Sequence, residues 1–151
     1  MNYSNEYSID NRFTHGSCIY ISKSSHLVMG TADDDVLIAG SHWSMLVGDT
    51  GKDRFVPKPD TTTMVMDFKR EEGDKIDLSA YAIDKDHLQA RMKSVGESTS
   101  LPFARDGGSL MIWGHQPEDL QRDDFILRPD IENGVTPLIG LCPLLPPDQA
   151  L

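Results

Sequence analysis

Cysteine is scarce in this chain, with two among 151 residues, Cys18 and Cys142. Two cannot build a disulfide framework and neither sits in a C-x-x-C pair, so one bridge or two free thiols remain as alternatives. Basic residues are also short: 14 Lys and Arg stand against 24 Asp and Glu, a net charge of −10. Without a cationic surplus there is little to meet phosphates, which excludes a nucleic-acid partner. No apolar run approaches the roughly 18 residues of a membrane span. The first residues, Met1 to Glu6, have neither a basic cluster nor an apolar stretch behind them, so no secretory signal peptide is expected.

Catalytic patterns are missing too. The five histidines, His15, His26, His42, His87 and His115, form no H-E-x-x-H, and there is no G-x-S-x-G, P-loop or G-x-G-x-x-G. No catalytic residue is assigned, and an enzyme is not expected.

What the chain does have is an ordinary apolar share, 38%, with 25% charged residues. That balance suits one folded domain with a modest core. Its acids are placed unevenly. Asp33, Asp34, Asp35, Asp49, Asp53, Asp67, Asp74 and Asp77 all fall between residues 33 and 77, most of them beside glycine or in polar turns. Short carboxylates in turns are what oxygen-liganded metal loops require.

A nine-residue period begins at Gly30. The units are Gly30–Ile38, Ala39–Val47 and Gly48–Val56. The eighth position is apolar each time (Leu37, Leu46, Phe55), the ninth β-branched (Ile38, Val47, Val56), and the sixth is Asp35, Ser44 or Asp53. Each unit reads as six residues of turn and three of strand, two units making one coil whose eighth residues stack inward. The expected fold is mainly all-β: a short right-handed parallel β-roll, flanked by antiparallel strands and one or two short helices.

The rest of the chain divides around that run. Residues 1–16 read as a flexible arm, 17–128 as the roll domain (repeats 30–56, C-terminal cap 57–128) and 129–151 as a proline-rich tail. Within the cap, Met64–Phe68, Lys75–Ser79 and Asp124–Leu127 read as strands. Leu101–Ala104 and Ser109–Trp113 flank a hairpin turn at Arg105–Gly108, residues 84–95 carry a helical pattern, and Pro117 opens a short helical turn.

The period predicts a calcium site. Units one and three lie on the same edge, one coil apart, so Asp35 and Asp53, 18 residues apart, are expected to face each other across an ion, with carbonyls of Gly30, Ala32, Gly48 and Gly51 completing the oxygen shell. Unit two carries His42 where a glycine would help and Ser44 where the aspartate belongs, so the opposite edge is expected to hold no tight ion.

The runs GTADDDVLIAG, VGDTGKDRFV and MVMDFKREEGDKIDLSAY resemble the hemolysin-type calcium-binding (RTX) repeat, G-G-x-G-x-D-x-U-x. With Asp67-Phe68, Gly73–Leu78 and Asp123–Ile126 following in order, residues 27–128 are similar to the C-terminal domain of serralysin metalloproteases. The resemblance implies a non-catalytic, calcium-binding protein secreted by a type I-like route, with a cytoplasmic location as the alternative. It also allows a second function, a degenerate module binding a polysaccharide or a protein partner without metal, with Trp43 and Trp113 as the ligand surface.

Overall fold

The computed structural model describes residues 18–20, 26–40, 43–58, 61–79, 81, 83, 85–103 and 108–127. The expected arm at 1–16, the tail at 129–151, Cys142 and His42 lie outside them.

The fold is β-rich, with parallel sheets and few helices. Its strands are β1 (Cys18–Tyr20), β2 (Leu27–Met29), β3 (Val36–Ile38), β4 (Ser44–Val47), β5 (Arg54–Val56), β6 (Thr62–Val65), β7 (Lys75–Asp77), β8 (Lys93–Val95), β9 (Ser98–Pro102), β10 (Ser109–Ile112) and β11 (Phe125–Ile126), with one α-helix, α1 (Lys85–Arg91). One sheet runs β1-β3-β5-β7-β11 and the other β2-β4-β6-β10-β9-β8. Successive strands therefore alternate between sheets up to β7, and every pair in the first sheet is parallel.

The register follows from the period. Ile19 pairs with Leu37, Leu37 with Phe55, and Val28 with Leu46, each offset being two nine-residue units. The repeat thus starts earlier than Gly30: Ile19 and Val28 continue the eighth-position series of Leu37, Leu46 and Phe55 backwards. Beyond Phe55 the turns lengthen, so Leu46 pairs with Val65 and Phe55 with Ile76. Eighth-position side chains fill the space between the sheets; Val28, Leu37, Leu46, Phe55, Val65, Ile76, Leu110 and Ile112 are all fully buried. Each such apolar side chain contributes about 1.5–3 kcal/mol by leaving water.

The cap departs from its sequence reading in one place. The helical pattern over 84–95 ends at Arg91, and Lys93–Val95 is instead a strand antiparallel to β9. Val95 pairs with Ser98 across a tight turn in which Gly96 holds φ +60, and that hairpin outcompetes the last helical turn. The expected hairpin, β9 with β10, is present, and β10 joins β6 in parallel, returning the chain to the second sheet. Likewise β11 joins β7 and closes the first sheet. Among the described residues no helix is long and apolar enough to cross a membrane.

Candidate metal centre

Three aspartates stand at the entrance to three strands of the first sheet: Asp35 before β3, Asp53 before β5, Asp74 before β7. Each is about 1% exposed. They are stacked by hydrogen bonds that cross from one coil to the next. The Asp35 N–H donates to Asp53 Oδ1 at 3.0 Å and the Asp53 N–H to Asp74 Oδ1 at 2.9 Å. In Asp35 and Asp74 the other carboxylate oxygen turns back into its own turn. Asp35 Oδ2 accepts the Thr31 N–H at 2.6 Å and the Thr31 hydroxyl at 2.9 Å, while Asp74 Oδ2 accepts the Lys69 N–H at 2.9 Å.

Asp53 breaks the pattern. Its Oδ2 is buried and has no hydrogen-bond partner among the described residues. The structural reason is Asp67. In the turn of Asp53 the residue equivalent to Thr31 is Asp49, but the amides of Gly48 and Asp49 donate to Asp67 Oδ1 and Oδ2, both at 2.8 Å. A buried acceptor left this way costs on the order of 1–3 kcal/mol, and more when it carries charge.

Glycines open the space beside these oxygens. A Cβ on Gly30 would lie 2.6 Å from the Gly48 carbonyl oxygen and 2.8 Å from Asp35 Oδ2; one on Gly48 would fall on Asp53 Oδ2. Gly51, at φ +103, faces the Asp33 carbonyl oxygen at 2.5 Å from the position its Cβ would take. The Ala32 carbonyl accepts the Thr50 hydroxyl at 3.4 Å. The edge formed by residues 30–35 and 48–53 is therefore lined by carboxylate and carbonyl oxygens.

The charges fit the same picture. Burial pushes Asp53 up to about 8, opposed by the Asp35 amide and reinforced by the charges of Asp74, Asp35 and Asp67. Burial also raises Asp74, against the amides of Asp53 and Lys69. The nearby ammonium of Lys69 goes elsewhere, to the Asp49 carbonyl at 3.3 Å and to Glu72 at 3.2 Å. Among the described residues no three carboxylate, imidazole or thiol side chains converge as a metal cluster. A cation at this edge would thus draw on backbone carbonyls, in the hard all-oxygen donor set that calcium prefers.

Asp35 and Asp53 do lie on one edge, one coil apart, as the period predicts. They are stacked carboxylate on backbone rather than carboxylate facing carboxylate. Asp74 was missed as a member of the edge because it follows Asp53 by 21 residues, and a search at 18 passes it by; Asp67, 18 residues after Asp49, was missed because it lies beyond the last nine-residue unit. On the opposite edge hydroxyls close the turns: Gly40 N–H donates to Ser44 Oγ and Lys58 N–H to Thr63 Oγ1, each at 3.4 Å. These uncharged groups do for their turns what Asp35 and Asp74 do for theirs.

A second charged feature ties the cap to this acidic edge. Arg70, in the turn above Asp74, grips Asp124 with both arms, Nε to Oδ1 at 2.8 Å and a terminal nitrogen to Oδ2 at 2.7 Å. The Gln121 N–H adds a bond to Oδ2 at 2.7 Å. Burial alone would raise the Asp124 carboxyl, but the Arg70 and Gln121 bonds with the Arg70 charge hold it below the ordinary carboxylate value. Trp43 and Trp113 lie at the surface, 48% and 49% exposed, and the Trp43 ring stacks on His26 with centroids 4.6 Å apart.

No family model matches the chain. No curated protein matches it either. Among solved structures the chain is similar to the extracellular lipase LipA from Serratia marcescens, at 12% identity and a TM-score of 0.41. That likeness covers 73% of this chain and 19% of the lipase, so the chain spans about a fifth of that protein's length.

Proposed function

We propose that this chain is a non-catalytic, calcium-stabilised parallel β-roll that works outside the cell. The observation that carries the reading is the buried, unpartnered Oδ2 of Asp53 beside the glycine that leaves room for it. A cation there supplies the partner that the amides of Gly48 and Asp49 withhold. Asp53, Asp35 and the carbonyls of Gly30, Ala32, Gly48 and Gly51 are the residues that would hold it. Its contribution is charge neutralisation on an acidic edge and a tie between turns one coil apart.

The mechanism is linkage. An ion that binds the folded roll and not the unfolded chain stabilises the fold by RT ln(1 + [L]/Kd), about 2.7 kcal/mol at a hundredfold excess over Kd. Outside a cell calcium is plentiful and the roll closes; inside it is scarce and the roll is loose, which suits export before folding.

The test is thermal melting of the chain with calcium and with a chelator. A melting temperature that rises with calcium supports the reading; an unchanged one removes it. A second reading, a module that binds polysaccharide or protein without metal, draws on the exposed tryptophans, Trp43 and Trp113. It predicts that chelated, folded protein still binds a glycan array, with binding lost in Trp43→Ala.

A further inference from the structure

The outer faces of the two sheets are made differently. On the first sheet the outward positions include Arg54, Lys75 and Asp77, with Arg54 paired to Asp77 at 2.8 Å. On the second, the outward positions of five of its six strands, β2, β4, β6, β10 and β9, carry no ionisable side chain, in a chain of net charge −10, and the edge strand β8 adds Lys93, which pairs with Ser100. The strand register gathers methionine there. Leu27 pairs with Met45, Met45 with Met64, and Met64 with Met111, giving one apolar row across four strands. Trp43 stands next to β4 at one end of this face and Trp113 next to β10 at the other, with Met29, 58% exposed, on the edge strand.

A face with an apolar centre of this breadth, free of charge on five neighbouring strands, is a surface that another surface covers. Its dimensions indicate which. Five strands at about 4.8 Å spacing are roughly 24 Å wide, and the rows from Trp43 to Trp113 run roughly 17 Å along the strands. That is about 400 Å² of plane per copy, or about 800 Å² from two before side-chain relief is added, close to the roughly 1,000 Å² at which specific interfaces begin. An anionic membrane is disfavoured by the charge of −10. A basic partner would find no acid on this face to pair with. A second copy presents the same methionine row flanked by uncharged Thr62, Ser109 and Ser100, and sheets stack face to face about 10 Å apart with interleaved side chains. Methionine, unbranched and adaptable, fills such an interface without exact shape matching.

We infer that the chain self-associates through this face into an isologous two-fold dimer, with the Leu27–Met45–Met64–Met111 row at its centre. The area places it among weak dimers, so concentration decides its population. The inference is independent of any bound ion.

The experiment is sedimentation velocity on the full chain from roughly 1 to 200 µM, the range in which a weak dimer populates. The expected result is a mass rising from the 16.8 kDa monomer toward twice that value. Met64→Glu is expected to remain monomeric throughout with an unchanged circular dichroism spectrum. In case that variant does not fold, hydrogen peroxide footprinting of the wild type gives an independent reading. Met45, Met64 and Met111 should oxidise several-fold more slowly at the high concentration than at the low one. A wild type that stays monomeric across the range overturns the inference, whether or not it binds lipid vesicles or another protein. So does self-association that survives in folded Met64→Glu, or oxidation rates that ignore concentration.

Discussion

Replacing Asp53 by asparagine keeps the shape of the side chain and its Oδ1, which accepts the Asp35 N–H at 3.0 Å. It changes only the group at Oδ2, the buried oxygen with no partner. In chelator at pH 9, above the value of about 8 to which burial pushes Asp53, the wild type carries an ionised, orphaned acceptor there, at a cost of about 1–3 kcal/mol or more, and the neutral amide is the milder burden. Asp53→Asn is therefore expected to melt at or above the wild type in chelator. With calcium at about a hundred times its Kd, the wild type gains about 2.7 kcal/mol that the variant lacks. For an ordered unit of about 100 residues, one kcal/mol moves the melting temperature by roughly 4–8 °C, so the wild-type increment is on the order of 10 °C or more. Differential scanning calorimetry of both proteins in both buffers reads this directly. The order of the two melting temperatures should invert between chelator and calcium. Ser44→Ala is the control: it removes the oxygen facing the Gly40 amide on the other edge and lowers stability in both buffers, leaving the calcium increment intact. Equal calcium increments in wild type and Asp53→Asn would refute the placement of the ion at Asp53.

Other outcomes follow from packing and charge. Gly48→Ala drives a Cβ into Asp53 Oδ2 and to 2.9 Å from the Phe55 ring, and is expected to cost about 1–3 kcal/mol by overpacking and to remove the calcium increment. Gly96→Ala meets nothing within 4 Å and bears only the penalty of its φ of +60, about 1 kcal/mol, with the increment retained; calcium-dependent melts separate the two. Phe55→Ala empties a fully buried site and should lower stability by about 3–5 kcal/mol in urea titrations, with or without calcium. The Asp124 carboxyl is held below its ordinary value in the fold, so its contribution is complete above pH 4 and is lost as pH falls below that toward its folded value. The stability gap between wild type and Asp124→Asn, measured by urea titration, should accordingly narrow from pH 6 to pH 3; a constant gap contradicts the Arg70 pairing.

Much of this architecture was open to reading because one physical rule, an inward apolar residue every nine positions, repeats in the chain. Leu37, Leu46 and Phe55 announced it, and the strand pairs fall two units apart as that rule requires. Ile19 and Val28 pair in the same register, but Ser17 and His26 stand where a unit carries its aspartate, so the earlier part of the series went unread. The helix reading over 84–95 failed at its end because Val95, which completes the helical stripe with Leu88 and Met92 in sequence, is exposed on β8, and Gly96 turns the chain into a hairpin that periodicity does not register.

At the candidate site the sequence located Asp35 and Asp53 on one edge, since 18 residues separate them. It did not reveal how the carboxylates are used. Which amides go to Asp67 and which to Asp53 depends on a turn three residues longer than the repeat, and only the folded register distributes them. The methionine row was hidden for a similar reason. Met45, Met64 and Met111 are unremarked singly and become a row only when non-consecutive strands pair.

The central claim is that the acidic edge at residues 30–35 and 48–53 takes a calcium ion as part of the fold. Equilibrium dialysis of the chelator-stripped chain against radiolabelled calcium tests it most directly, with Asp53→Asn alongside. The account predicts saturable uptake of at least one ion per wild-type chain and its loss in the variant; a folded wild type that takes up no calcium contradicts it.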